Sequence, residues 1–295
     1  MSSPGSLAST PPASRQLRRR GGFWPTVILL IGAGYCLLPL FWVISAATKL
    51  PGELFTTFSL RPSFNGGFWE NLKQLSQFRG GQYWRWTLNS LLYAGGGAAL
   101  STMVSAAAGY GLAKYRFAGR DIIFTLLLGA VLVPGVLLAV PQYLLMAEIG
   151  LAGSYWSVLI PCLVSPLGIF LSRIYATAVI PDEMLEAGRV DGAGEVRIFF
   201  SIALLPMLPG LVTVFLLQFV GIWNNFLLPF IMLSDENKFP LTVGLYTLIN
   251  QGVDQPGVYT LIITGAMVAI VPLVLLFLVL QRFWRLDLIS GSVKG

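Results

Sequence analysis

Five side chains with hydrogen-bonding or aromatic chemistry lie within apolar stretches of the chain, where polar groups are costly unless they face a cavity or another helix. They are Gln142, Gln218, Trp223, Asn224 and Asn225. Amide groups beside an aromatic ring can recognise the hydroxyls and the C–H face of a polyhydroxylated solute. The alternative is that these groups join helices, at about 0.6–1.7 kcal/mol per hydrogen bond. The sequence is consistent with a solute path and with interhelical contacts.

Residues that make or break covalent bonds are scarce in this chain. It has no histidine, and its two cysteines, Cys36 and Cys162, both lie in apolar runs, so neither a disulfide nor a metal site is expected. None of the 13 acidic residues lies in the middle of an apolar stretch, and the phosphate-binding pattern GxxxxGK[ST] is absent. We therefore expect no catalytic residue, metal or cofactor here, and any uphill transport must draw its energy from another polypeptide.

The elements that must position these residues are helices that cross a membrane. Charged residues make up 11% of the chain, against roughly 25% in a soluble domain, and the mean hydropathy is +0.74. A span needs about 20 mostly apolar residues, because lipid offers the backbone no hydrogen-bond partner. The sequence therefore predicts an all-α integral membrane protein with about six transmembrane helices. The predicted stretches are residues 23–47, 87–113, 122–147, 155–178, 204–233 and 258–281.

Lysine and arginine set the predicted orientation, because they are enriched in cytoplasmic loops. An internal N-terminus places 13 of the 19 basic residues on the cytoplasmic side. Both termini are then cytoplasmic, and the chain crosses the membrane several times. The predicted segments are a disordered basic N-terminus (1–22), a first helix (23–47), an outer loop (48–86), a core with five helices (87–281) that includes a cytoplasmic loop (180–203), and a cytoplasmic tail (282–295).

The cytoplasmic loop predicts a short helix, a glycine turn and a second helix. Pro181 suits a first helical position, and the acidic residues after it complement the positive end of the helix dipole. Gly192, which follows Asp191, supplies the left-handed residue that ends a helix, and a second helix can begin near Gly194.

Two faces of that first helix have different composition. Met184, Leu185, Ala187 and Gly188 share one face at helical spacing, while Glu186 and Arg189 stand three residues apart on another. The small residues Ala187, Gly188 and Gly192 would let another protein approach the backbone closely.

This loop resembles the EAA loop of bacterial ABC importer permeases. The resemblance rests on Glu186-Ala187-Gly188, three residues, Gly192, nine residues, and Ile202-Ala203-Leu204. Further stretches are similar to the carbohydrate, maltose-type branch of that family: WTLNS at 86–90, GLAKYRF at 111–117, PQY at 141–143 and WNNF at 223–226. The chain departs from the family pattern at Gly188, where the family has a second alanine, and at Asn225, where many relatives have aspartate.

The resemblance implies a permease subunit with type I ABC importer architecture that translocates an oligosaccharide, a sugar or a sugar-derived polyol. It implies that Glu186, Ala187, Gly188, Asp191 and Gly192 form a coupling helix that seats in an ATPase subunit. The ending, Lys294 and Gly295, would contact the ATPases. The implied partners are a second homologous permease subunit, two ATPase subunits that bind the ATP and Mg, an extracellular or periplasmic solute-binding protein, and membrane lipid.

Other classes fit the sequence less well. An ABC permease for a non-sugar solute and half of a secondary carrier are the nearest alternatives. An intramembrane enzyme would need a nucleophile and base or a metal site facing a cavity. Binding to nucleic acid is not expected, because the basic residues are scattered between apolar runs.

Overall fold

A computed structural model of the 295-residue chain describes residues 23–251 and 256–291. The chain divides into two compact units, residues 1–42 and 43–295. Regular structure is helical throughout the described residues, with no strand among them. The helices are α1 (Phe23–Ala47), α2 (Gly67–Gln77), α3 (Gln82–Lys114), α4 (Arg120–Val131), α5 (Gly135–Glu148), α6 (Tyr155–Cys162), α7 (Pro166–Val179), α8 (Asp182–Val190), α9 (Glu195–Trp223), α10 (Leu227–Met232), α11 (Leu241–Gln251) and α12 (Pro256–Gly291).

The prediction of an all-α protein with about six membrane helices is confirmed. By length and composition, four helices of the described chain could each cross a membrane, and two bent pairs bring the number up to six. The four are α1, α3, α9 and the Gly257–Phe283 part of α12. The predicted basic segment 1–22, Lys294 and Gly295 lie outside the described residues, and α12 continues as helix ten residues beyond the predicted end of its span.

The third and fourth predicted spans are each interrupted by a break between two helices. Helices α4 and α5 meet at 108°, and α6 and α7 meet at 41°. The first break falls at Pro134, whose ring cannot donate a backbone hydrogen bond and disfavours a helical residue before it. The second falls before Pro166, where the Ser165 hydroxyl accepts a hydrogen bond from the Gly168 N–H at 3.0 Å and starts a new helix.

The fifth predicted span, 204–233, is also wrong in its bounds. Helix α9 begins earlier, at Glu195, and ends at Trp223. The Asn225 side-chain oxygen then accepts a hydrogen bond from the Leu228 N–H at 3.3 Å, which starts the separate helix α10. The chain therefore turns at the polar residues that the prediction placed inside the span.

The predicted outer loop, 48–86, is a folded segment that contains α2 and the start of α3. Lys49 is only 1% exposed, and its ammonium group donates to the Phe58 carbonyl oxygen at 2.8 Å. The Asn71 side chain donates to the Lys49 carbonyl oxygen at 2.8 Å. Buried polar side chains therefore hold together the turns of this predicted loop.

Helix α3 is central to the second unit, because it packs along both α7 and α9. One apolar cluster surrounds its first half, at Tyr83, Trp86 and Tyr93, and a second surrounds Tyr110 near its end. Small residues let α3 and α7 approach closely: a Cβ atom added at Gly109 would lie 2.6 Å from the Arg173 backbone nitrogen.

We expect Gly109→Ala to destabilise the protein by about 1–3 kcal/mol, because the added methyl group meets the backbone of α7 and the helices must separate. Gly111→Ala is the matched control, since it lies on the same helix with nothing within 4 Å of its added Cβ atom. That control should be neutral or stabilising by about 0.5–1 kcal/mol. Thermal unfolding in detergent measures both, and equal melting temperatures for the two variants would contradict the assigned close packing.

Candidate functional site

Helix α8 forms where the sequence predicts it, with small differences at its start. Pro181 caps the helix with extended backbone (ψ 145°), rather than occupying its first turn. Gly192 has the predicted left-handed conformation (φ +80°). The Gly192 N–H donates to the Arg189 carbonyl oxygen and the Ala193 N–H donates to the Gly188 carbonyl oxygen, both at 3.0 Å. These bonds satisfy carbonyl groups at the end of α8 and turn the chain into α9.

One side of α8 packs against α9, and the other side is exposed. Leu185 is 2% exposed and packs with Ile198 of α9. Gly188 is also buried, and a Cβ atom there would lie 2.6 Å from the Ile202 side chain. Gly188 thus packs closely on α9 within this chain, and its contact with another protein stays a prediction.

The exposed side of α8 and the following turn form what we call the α8 surface. Its apolar members are unusually exposed, with Val190 at 87% and Val196 at 73%. Among the residues that the structure describes, Glu186 has no hydrogen-bond or ion-pair partner. Exposed apolar side chains around an unpaired carboxylate are typical of a protein-binding surface. The α8 surface consists of Met184, Glu186, Ala187, Val190, Asp191, Gly192 and Val196.

Polar contacts fix both ends of α8. The Lys114 ammonium group donates to the Asp182 carboxylate at 2.7 Å. The Arg189 guanidinium donates to Glu195 at 2.8 Å and not to Glu186, which stands three residues before it on α8. The Tyr115 hydroxyl also donates to Glu195, at 2.5 Å. Arg189 pairs with Glu195 because the turn at Gly192 brings the start of α9 close to the last turn of α8.

These contacts shift the pKa values of groups around α8. The hydrogen bond from Lys114 holds the pKa of Asp182 below its usual range, which favours the ionised carboxylate. The hydrogen bond to Glu195 raises the pKa of Arg189. Burial, followed by the hydrogen bond to Glu195, raises the pKa of Tyr115, which therefore remains a hydroxyl donor.

The five predicted solute-path residues do not form one site. Gln142 and Asn225 line a common cavity of about 380 Å³ between α5, α6 and α10, and Gln142 has no hydrogen-bond partner among the described residues. The side chains that line this cavity carry no formal charge. The lining residues are Gly135, Val136, Leu138, Ala139, Gln142, Pro161, Cys162, Asn225, Leu227 and Leu228.

The other three predicted residues have contacts within the bundle. Gln218 donates to the Ser165 hydroxyl and so joins α9 to the break before α7. Trp223 is buried and stacks on Phe219, with ring centroids 5.7 Å apart. Asn224 donates back to a carbonyl of its own helix at 2.8 Å. For these residues the alternative of helix contacts describes the geometry better, because the turn after Trp223 directs only Asn225 toward the cavity.

The fold is that of a multi-helix membrane protein in which one side of α8 is exposed, and comparison with known proteins gives its family. Residues 102–285 match the family model described as "Binding-protein-dependent transport system inner membrane component". The chain belongs to this family. It is therefore a multi-pass inner-membrane component of a transport system and has no ATPase site of its own, as the sequence predicts.

Individual relatives agree with the family assignment. The chain is 37% identical to the arabinooligosaccharides transport system permease protein AraQ of Halalkalibacterium halodurans, over 73% of this chain and 76% of that protein. It is 27% identical to the lactose transport system permease protein LacG of Rhizobium radiobacter, over 90% of this chain and 94% of that protein. A solved bacterial ABC transporter involved in alginate import has the same fold, with a TM-score of 0.76, 23% identity, and coverage of 92% of this chain and 99% of that chain.

We expect Gly192→Ala to loosen the turn after α8, because a left-handed conformation costs an L-residue about 1–2 kcal/mol. Gly194→Ala is the matched control: it lies two residues away, has ordinary extended backbone (φ −70°), and has equally open space around its added Cβ atom. Hydrogen exchange of residues 189–197 should be faster in the first variant and unchanged in the second. Equal exchange in the two variants would contradict the structural role given to Gly192.

Proposed function

We propose that this chain is one of two permease subunits of an ATP-driven importer for a carbohydrate: an oligosaccharide, a sugar or a sugar-derived polyol. The observation that carries the proposal is the 37% identity, over about three quarters of the chain, to a permease named for arabinooligosaccharides. Other relatives are named for lactose and for melibiose, raffinose and stachyose. An extracellular or periplasmic solute-binding protein would deliver the solute to the outer face.

The α8 surface supports a contact with a partner ATPase. In this proposal Glu186, Ala187, Asp191 and Gly192 face the ATPase, while Gly188 holds α8 against α9. Two ATPase subunits bind the ATP and Mg, a second homologous permease completes the pore, and this chain binds no cofactor. Both termini and α8 then lie on the cytoplasmic side, and the tail residues Lys294 and Gly295 add a second contact with the ATPases.

Transport follows from movement of α8. When the two ATPases close on ATP, they displace the helices seated in them, and the permeases change from inward-facing to outward-facing access. A docking helix transmits such a movement only if it cannot roll on its own support. The buried Leu185 and the contacts from Lys114 and Glu195 at the two ends of α8 meet this requirement.

The cavity of Gln142 and Asn225 supports an uncharged, hydroxyl-rich solute. Each amide offers a donor and an acceptor, which matches a sugar hydroxyl. A second candidate is a phosphorylated polyol, because the chain is 26% identical over 90% of its length to a permease named for sn-glycerol-3-phosphate. The cavity lining has no lysine or arginine to pair with a phosphate, so the first candidate is favoured.

Reversing the charge of Glu186 on the α8 surface should weaken the contact with the ATPase, so that solute no longer stimulates ATP hydrolysis. In the complex reconstituted in lipid with its ATPases, second permease and solute-binding protein, we expect Glu186→Arg to reduce solute-stimulated ATPase activity at least tenfold. Glu148→Arg is the control, because it makes the same exchange at an exposed position at the end of α5. Full stimulation in the Glu186 variant would contradict ATPase docking at this surface.

Removing an amide from the cavity should weaken solute binding without affecting assembly. We expect Gln142→Leu to raise the solute concentration for half-maximal uptake roughly 2–10-fold, as the loss of one hydrogen bond predicts. Asn224→Leu is the control, since this neighbouring amide does not line the cavity. Uptake assays with a panel of oligosaccharides and glycerol phosphate measure the effect. An unchanged half-maximal concentration in the first variant would show that the cavity is not on the solute path.

A further inference from the structure

Helix α3 connects two distant parts of the second unit without interruption. It is 33 residues long, or about 50 Å at the helical rise. Residues Leu92–Gly96 take a wider π turn, but the backbone before and after them stays helical, at φ −63° for Leu91 and −61° for Gly97. A displacement applied along the axis at one end is therefore carried to the other end.

The first half of α3 holds the loop that precedes α11, which we call the 233–240 loop. Four α3 side chains donate to consecutive backbone carbonyl groups of this loop, at 2.8–3.0 Å. They stand four, three and four residues apart and so form one stripe on the helix. The pairs are Gln82 and Trp86 with the Glu236 carbonyl, Asn89 with the Asn237 and Phe239 carbonyls, and Tyr93 with the Lys238 carbonyl.

The hydrogen bonds from α3 fix the position of the 233–240 loop. Backbone carbonyl groups in a short 3₁₀ turn have few partners of their own, so the α3 donors determine where the loop lies. The Ser90 hydroxyl adds to this by accepting a hydrogen bond from the Leu241 N–H at 2.7 Å, at the point where the loop becomes α11. The second half of the loop, from Glu236 to the start of α11, is thereby attached to α3.

The other end of α3 holds α8, through two residues that are adjacent in sequence. Lys114 pairs with the first residue of α8, and Tyr115 binds Glu195, which in turn binds the last turn of α8 through Arg189. The Tyr115 ring also packs edge-on against buried Tyr110, with centroids 5.6 Å apart. Hydrogen bonds to ionised groups are stronger than neutral ones, so this attachment resists displacement.

We propose that α3 is the transmission element between the ATPase-docking helix and the opposite face of the permease, with Lys114 and Tyr115 as positioning residues at one end and Trp86 and Asn89 at the other. The inference rests on the proposed function, because it assigns the source of the displacement to an ATPase at α8. Movement of α8 carries α3 with it, and α3 moves the backbone of the 233–240 loop. Conversely, a contact at that loop changes the position of α8 relative to the ATPase, since coupling between two sites is reciprocal.

Two conservative variants test this link, and a third is their matched control. Tyr115→Phe and Trp86→Phe each remove one hydrogen-bond donor, at opposite ends of α3, and keep an aromatic ring. Tyr83→Phe removes a buried hydroxyl from the same helix, but that hydroxyl donates to the Gly265 carbonyl of α12 at 2.9 Å and belongs to neither attachment. The measured quantity is the ratio of binding-protein-stimulated to basal ATPase activity in the reconstituted complex.

We expect Tyr115→Phe and Trp86→Phe each to lower this ratio about fivefold, and the double variant to lower it no further than the stronger single variant. A path that is already broken at one end cannot be broken again, whereas independent structural defects multiply. Multiplying effects in the double variant, or an equal loss in Tyr83→Phe, would overturn the proposal.

A distance measurement separates this inference from the proposed function. In a Cys36→Ala, Cys162→Ala background, spin labels at Ala187→Cys and Ser234→Cys report the distance between α8 and the 233–240 loop in the purified chain, with no partner or solute. The distance distribution should be narrow in the unaltered α3 and in Tyr83→Phe, and broad in Tyr115→Phe and Trp86→Phe. Narrow distributions in all four proteins would refute the link. A complex that shows no ATPase activity would refute the proposed function instead.

Discussion

The lack of hydrogen-bond partners in lipid is the constraint on which this structure depends. It explains why the described chain is helical and why two of the three interrupted spans restart at a polar side chain. Ser165 caps the helix that restarts after one break, and Asn225 caps the helix that restarts after another. The ammonium group of buried Lys49 donates a hydrogen bond to the Phe58 carbonyl oxygen. Polar residues in this chain are therefore first of all structural, and a functional role must be argued from those left without partners.

Two features combine an unpaired polar group with an exposed surface or a cavity. The α8 surface exposes apolar side chains and the unpaired carboxylate of Glu186, and the cavity holds the unpaired amide of Gln142. Helix α3 has a structural role and a proposed functional role. Its hydrogen bonds satisfy backbone carbonyl groups, and they also attach the 233–240 loop and α8 to the same helix. The same contacts that stabilise the fold are those that would carry movement through it.

Much of the fold can be predicted from local sequence, because the deciding signals are local. Hydropathy gives the membrane helices, and Pro181 and Gly192 bracket α8. Ser165 followed by Pro166 is also a local signal for a helix start, but the prediction treated the fourth span as uninterrupted. Two other features depend on residues that are distant in sequence. Gly188 is needed for packing against α9, and Arg189 pairs with Glu195 rather than with its neighbour on α8. No spacing rule within α8 contains that information.

The central claim is that α8 faces the cytoplasm and receives an ATPase, and the most direct test is the accessibility of Ala187→Cys in a Cys36→Ala, Cys162→Ala background. Membrane-impermeant maleimide should label this thiol in inside-out vesicles and not in right-side-out vesicles, and assembly with the ATPases should protect it. Labelling from the outer side, or labelling that the assembled ATPases leave unchanged, would contradict the account.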